Sequence, residues 1–172
     1  MGDELKLLIS RAQIAQTVAR MARQISADYQ TKNVVFIGVL KGAFVFLADL
    51  VRQLTIPAEI DFIRIASYGS EKESSGQVSV TKPVEIPLQG RDVLVVEDIV
   101  DTGLSLRFVM DYISAQKPSS LKTCTLLDKK SRREIGVQVD YVGFEIEDGF
   151  VVGYGLDCDE RHRCLPEIFV LR

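Results

Sequence analysis

The sequence predicts an α/β fold: a mostly parallel central sheet flanked by helices on both faces. Three observations predict it. Two runs of strand length, 34–40 and 93–96, are apolar at nearly every position, the pattern of strands covered on both sides. Each is followed by a short loop containing glycine. Each loop then leads into apolar residues at helical spacing, first over Phe44 to Leu54, then at Leu106, Val109, Met110 and Ile113. Two such strand–loop–helix units order their strands in parallel and place both loops beyond the carboxyl ends of the strands, where open α/β sheets hold ligands. At 172 residues, with 47% apolar and 26% charged side chains, the chain fits one domain, 1–172, with enough surface to bury a core.

The elements follow in order. Ser10 and Gln13 have the spacing of a capping box. Ile14, Val18, Met21, Ala22 and Ile25 then mark the apolar face of a helix that runs to about Tyr29 and packs on the sheet. Asn33 to Leu40 is a buried strand, ended by Lys41-Gly42-Ala43, with a helix from Phe44 to Leu54. Ile60 to Tyr68 is a strand with partial alternation. Residues 69–77 consist of Gly, Ser, Glu, Lys and Gln, which cannot bury themselves and predict a mobile connection. Val78 to Val84 is the returning strand, and Pro83 marks an edge or a stop. Gln89-Gly90 turns the chain into the central strand, Val93 to Val96, after which Glu97 and Asp98 begin a polar loop. Leu121 to Leu127 is the next strand. It ends in the charge run 128–133, and a charge run is ordinarily a solvated face. Tyr141 to Ile146 and Phe150 to Gly155 are two strands around Asp148-Gly149, a hairpin signal. Ile168 to Leu171 closes the chain, and no repeat, linker or low-complexity segment is present.

Charge and composition exclude several classes. A net charge of −3 argues against wholesale binding of nucleic acid or anionic membrane. No apolar run approaches the ~20 residues of a spanning helix. Asp3 and Glu4 stand where a signal peptide would be basic and then apolar, so the cytoplasm is the expected compartment. Cys124, Cys158 and Cys164 are odd in number and lack framework spacing, as expected of reduced intracellular thiols. Cys158, His162 and Cys164 match no paired-cysteine zinc pattern.

The chemistry concentrates at Glu97, Asp98, Asp101, Thr102, Gly103 and Ser105. Two hydroxyls, a glycine that admits close backbone approach, and free amides at a helix start suit a phosphate. The acids do not, so they serve sugar hydroxyls, a metal or a proton. The bland reading has Glu97 and Asp98 end a strand and Asp101 cap a helix. Three acids, two hydroxyls and a glycine within nine residues of a buried strand weigh against it, because ionisable groups near a core are costly. The spacing fits neither G-x-x-x-x-G-K-[ST] nor G-x-G-x-x-G. At the same sheet edge, Lys41-Gly42 forms a small basic loop that suits a second anion.

The run Val95-Val96-Glu97-Asp98-Ile99-Val100-Asp101-Thr102-Gly103-Leu104-Ser105 resembles the phosphoribosyl-diphosphate signature of type I phosphoribosyltransferases, and more narrowly their hypoxanthine-guanine branch. The resemblance spans roughly residues 33 to 165 and is strongest at 93–106 and 144–157. It implies the type I phosphoribosyltransferase fold with a small hood, built from the terminal segments, over the base. It implies transfer of the 5-phosphoribosyl group to hypoxanthine or guanine, giving IMP or GMP and pyrophosphate. On that resemblance Glu97 and Asp98 hold the ribose hydroxyls, and Asp101, Thr102, Gly103, Leu104 and Ser105 wrap the 5′-phosphate. Asp101 also lies near N7 of the purine as the general base. Leu104 and Ser105 stand where some members carry lysine and threonine; the hydroxyl is retained.

Lys41, Gly42 and Arg163 fall where the family binds pyrophosphate. Lys129 matches a lysine that contacts O6 of a 6-oxopurine, Phe150 an aromatic that stacks on the purine, and Val151 a position whose main chain reads its edge. Asp157 falls where a carboxylate near the purine binds magnesium, so the acids implied for Mg2+ are Glu97, Asp98 and Asp157. Ser67-Tyr68 match the start of a flexible loop, which makes 69–77 a lid that keeps water from a reactive sugar cation. The implied partners are small molecules, phosphoribosyl diphosphate and a 6-oxopurine, and copies of the chain in a homodimer or homotetramer. Rival branches of the family act on xanthine, or on uracil as an RNA-binding pyrimidine-operon regulator. The regulator's relatives generally lack a carboxylate at the Asp101 position and often open the motif with Asp-Asp. A non-catalytic nucleotide-binding module is a rival of another class. The Glu97-Asp98 pair, Asp101 and Lys129 favour the oxopurine enzyme.

Overall fold

The computed structural model describes residues 4–68 and 77–172. In chain order these form β1 (Leu5–Ile9), α1 (Arg11–Asp28), β2 (Val34–Leu40), α2 (Phe44–Val51), β3 (Ala58–Tyr68), β4 (Gln77–Lys82), β5 (Asp92–Val100), α3 (Leu104–Ser114), β6 (Ser120–Asp128), a 3-10 turn (Lys130–Arg132), β7 (Tyr141–Glu145), β8 (Phe150–Val152) and β9 (Ile168–Leu171). The six-stranded sheet has the order β4-β3-β2-β5-β6-β7 and is parallel except for β4 on β3. A three-stranded antiparallel sheet, β1-β9-β8, joins the first strand to the last two and is called the hood below.

Strand alternation divides the core into two faces. Val34 and Phe36 of β2, with Leu94 and Val96 of β5, pack on α1 and α2; this cluster continues into the hood through Val151, Tyr154, Leu156 and Ile168. Val35, Ile37 and Val39, with Val93 and Val95, pack on Leu106, Val109 and Ile113 of α3. Helices therefore cover both faces, which is why β2 and β5 are apolar at nearly every position. The capping box of α1 is present: Ser10 Oγ accepts from the Gln13 amide, and Gln13 accepts from the Ser10 amide at 2.9 Å.

Two expectations are corrected, and one strand is added. Asp148-Gly149 does not turn a hairpin: β7 adds to β6 in the large sheet, whereas β8 pairs with β9 in the hood. The turn chemistry there is real, but it carries the chain from one sheet to the other. Strand β5 does not stop at Val96; it continues through Glu97 and Asp98 to Val100, paired with β6 up to Val100↔Asp128. Strand β1 was not foreseen, because its five residues are mostly exposed and show no alternation. Ser67 and Tyr68 end β3 and Gln77 begins β4, while the rest of the expected lid, 69–76, lies outside the described residues.

Candidate active site

The carboxyl ends of β2 and β5, with the loops that leave them, and Ile65 of β3 line one cleft. A cavity of about 310 Å³ is lined by Gly42 on one side and by Glu97, Asp98, Asp101, Thr102, Gly103 and Ser105 on the other. A larger hollow of about 610 Å³ lies elsewhere, between α1, α2 and Leu165, and shares only Arg163 with the expected site. The smaller cavity holds the acids and the glycine loop, so it is the one with chemistry to offer.

The acid pair is set by its strand. Glu97 and Asp98 both line the cleft, on the stretch of β5 that runs past the end of its pairing with β2 at Val96 while still paired with β6. Glu97 is buried. Burial, and then the charge of Asp98, push the Glu97 carboxyl well above the ordinary carboxylate range. Burial also raises Asp98, against the pull of Glu97, the Ile99 amide and Arg163. A pair held this way prefers to keep a proton, or to meet hydroxyl donors or a cation. A Cβ on Gly42 would fall inside the Asp98 carboxylate, so only glycine lets the β2–α2 loop pass there. Gly155, at φ +100°, in turn lies against the Gly42 carbonyl. The Leu40–Lys41 peptide in this loop is cis.

The phosphate-type loop is shaped by Gly103. It sits at φ 90° and is the N-cap of α3, with no side chain of its own to bond the first turn, whose Leu104 amide donates to Thr102 Oγ1 at 3.4 Å. Asp101 is therefore not the helix cap. The loop is clamped from behind, where the Thr102 carbonyl accepts the amides of Glu134 at 3.0 Å and Ile135 at 3.3 Å. Arg133, ion-paired with the buried Asp128, packs against Gly103. Leu104 and Ser105 begin α3, both exposed.

Two cations meet Asp101. Lys129 Nζ lies 3.4 Å from Oδ2, and Arg132 Nε lies 3.1 Å from Oδ1. Lys129 is buried, with a side chain 7% exposed, and its position just past β6 brings it there. The anionic side is completed by the segment after β8. Arg163 bonds the Gly155 carbonyl at 2.7 Å and the Asp157 carboxylate at 2.9 Å. Asp157 also accepts the Glu160 amide at 2.9 Å. Lys41 Nζ reaches Glu160 at 2.9 Å, and Arg163 reaches the same carboxylate at 3.2 Å. Lys41 and then Arg163 hold Glu160 below the ordinary carboxylate range. Phe150 is 55% exposed at the start of β8, unusual for a large aromatic, while Val151 beside it is buried.

The family model for the phosphoribosyl transferase domain matches residues 9–159. The chain belongs to the phosphoribosyltransferase family. Among curated relatives it is 47% identical to the hypoxanthine phosphoribosyltransferase of Haemophilus influenzae, over 94% of this chain and 92% of that one. It is 43% identical to the hypoxanthine-guanine phosphoribosyltransferase of Aquifex aeolicus, over 99% and 96%. A crystal structure of a Bacillus anthracis hypoxanthine-guanine phosphoribosyltransferase superposes with a TM-score of 0.93 at 46% identity, covering 98% of this chain and all of that one. These matches place this phosphoribosyltransferase on the hypoxanthine-guanine branch.

Sequence reasoning missed three residues of the site. Glu160 joins Lys41 to Arg163, Arg132 covers Asp101, and Arg133 backs the glycine loop. Arg132 and Arg133 lay inside the run taken for a solvated face. Their partners are set by the fold, and no spacing in the sequence announces them.

Proposed function

We propose that the chain transfers the 5-phosphoribosyl group of phosphoribosyl diphosphate to a ring nitrogen of hypoxanthine or guanine, giving IMP or GMP. The observation that carries the reading is the 310 Å³ cleft, which sets a carboxyl pair, Glu97 buried and Asp98 half-buried, and a glycine-capped helix start around Asp101. The 5′-phosphate takes the Thr102 and Ser105 hydroxyls and the amides of Gly103, Leu104 and Ser105. Glu97 and Asp98 accept from the ribose hydroxyls. Lys41, Gly42 and Arg163 take the pyrophosphate, displacing Glu160. As the base nitrogen bonds to the anomeric carbon, the C–O bond breaks and pyrophosphate leaves with its electron pair. The two cations stabilise that departing charge. Asp101 accepts the proton released at N7.

Base choice follows from the Asp101–Lys129 pair. A 6-oxopurine presents N7–H and O6 side by side, a donor and an acceptor. A carboxylate and an ammonium 3.4 Å apart offer the complementary acceptor and donor. A 6-aminopurine would turn an amino group toward Lys129. Phe150 covers the ring face, and main-chain groups at Val151 and Asp157 read the far edge.

The donor set fits Mg2+. It is all hard oxygen, and among the described residues no three acids converge into a cage of the protein's own. That suits an ion that keeps waters and binds mainly through substrate oxygens. Glu97, Asp98 and Asp157 would hold it, and when bound it offsets charge on the pyrophosphate. Homodimer or homotetramer assembly belongs to the same reading. A turnover assay with phosphoribosyl diphosphate, magnesium and a panel of hypoxanthine, guanine, xanthine, adenine and uracil tests it. Product from the 6-oxopurines supports the assignment; product from uracil alone, or from no base, overturns it.

A further inference from the structure

We propose that Arg132 is a positioning residue that fixes the Asp101 carboxylate and ties it to the hood loop ahead of Phe150. Oδ1 of Asp101 is enclosed and makes no hydrogen bond, and the Arg132 guanidinium stands over it at 3.1 Å. The same guanidinium turns its Nη1 to Asp148 Oδ1 at 3.2 Å. Asp148 lies in the crossing from β7 to β8, and its Oδ1 also accepts the Gly149 amide at 2.8 Å, one residue before Phe150. One planar side chain thus spans from the core sheet, where the base acts, to the segment that delivers the aromatic cover of the purine.

The arrangement suits arginine in particular. A guanidinium offers donors along two edges in fixed geometry, whereas an ammonium is a single point. The turn that carries Arg132 is itself anchored. Its amide donates to the Lys129 carbonyl at 3.2 Å, and Lys130 pairs with Glu145 at the end of β7. Lys129 holds the other oxygen of Asp101, so the carboxylate is gripped from both sides by one short turn. As bare surface ion pairs, half-exposed contacts of this kind add little stability. Their value here is orientation: displacing a reacting group by about 1 Å costs up to ~10²-fold in rate. The hood loop carries Asp148, so any shift of the purine cover relative to the core reaches Asp101 through Arg132.

The proposal rests on Asp101 being the base, and the test separates the two. Arg132→Gln, Arg132→Lys, Asp148→Asn, Arg132→Gln with Asp148→Asn, and Asp101→Asn are assayed for hypoxanthine turnover with phosphoribosyl diphosphate and magnesium. Melting temperatures are recorded alongside. We expect Arg132→Gln to lower kcat about 10- to 100-fold, with the KM for phosphoribosyl diphosphate unchanged. Arg132→Lys recovers part of the loss, since charge returns near Asp101 without the second contact. Asp148→Asn lowers kcat less, and adds nothing in the Arg132→Gln background. Wild-type kcat in Arg132→Gln beside a slow Asp101→Asn overturns the role of Arg132 alone. Multiplying effects of Arg132→Gln and Asp148→Asn overturn the link to the hood. Wild-type kcat in Asp101→Asn overturns the base and this proposal together.

Discussion

At the scale of single residues, the site is a set of charges that are each already answered. Asp101 has two cations and no part in capping α3, since Gly103 holds that position. Asp101→Asn should therefore leave the fold and phosphoribosyl diphosphate binding intact, and lower kcat by ~10²–10⁴. Ligand titration beside steady-state rates checks both halves. Glu97 gives a prediction of opposite kind. Its carboxyl is raised in the folded chain by burial and by Asp98, so folding favours the protonated form. That contribution is complete below the ordinary value of 4.5 and is lost as pH rises toward the folded value. Without ligands, melting temperature should fall as pH rises above 4.5, and Glu97→Gln should flatten the slope. A wild-type curve that rises over this range with the variant parallel to it would contradict the assignment.

At the scale of elements, the site depends on loops that pass where only glycine fits. The β2–α2 loop is pressed between Asp98 and Gly155. Gly42→Ala should cost about 10²-fold in turnover by pushing the loop and Asp98 apart. The apolar clusters on the two faces of the sheet do not use Gly42, so the variant should still melt cooperatively. Asp61 holds another connection. It sits buried in β3 and accepts the amides of Phe62 and Glu85, each at 2.6 Å, and of Ile86 at 2.9 Å. Burial alone would raise its carboxyl, yet those amides and Lys82 hold it below the ordinary range. Its stabilisation is thus present at neutral pH and lost as pH falls through that lowered value. Asp61→Ala should destabilise by about 1–3 kcal/mol at pH 7, measured by urea unfolding, because it removes the acceptor of three part-buried amides.

Legibility also divided at this scale. Strand β5 and its loop could be read because burial, acids and turn residues coincide within one short stretch. The helix Arg11–Asp28 could be read because its cap and apolar face are local. Partner choice was not local. Asp148-Gly149 has hairpin chemistry, yet β7 and β8 find better neighbours in β6 and β9. Glu160 lies 119 positions from Lys41, and nothing in either neighbourhood foretells their meeting.

At the scale of the whole molecule, the described residues put the hood and the acid-bearing sheet in one continuous apolar cluster. Excess chelator should abolish turnover, and restored magnesium should recover it, if the acids need a cation to bind the diphosphate. The pairing of every named site cation with a carboxylate has one more consequence, for the speed of capture. The chain carries net −3, and its expected substrate is a polyanion. Lys41 and Arg163 share Glu160, and Lys129 and Arg132 share Asp101. Seen from beyond a Debye length of about 10 Å, such pairs present almost no attractive field. Encounter then proceeds without electrostatic steering, and added salt should leave the association rate unchanged or raise it slightly. Glu160→Gln uncovers Lys41 and leaves Arg163 with Asp157 alone. Its association rate, followed by stopped flow, should exceed that of the parent chain at low salt and fall as salt is added, so that the two curves converge.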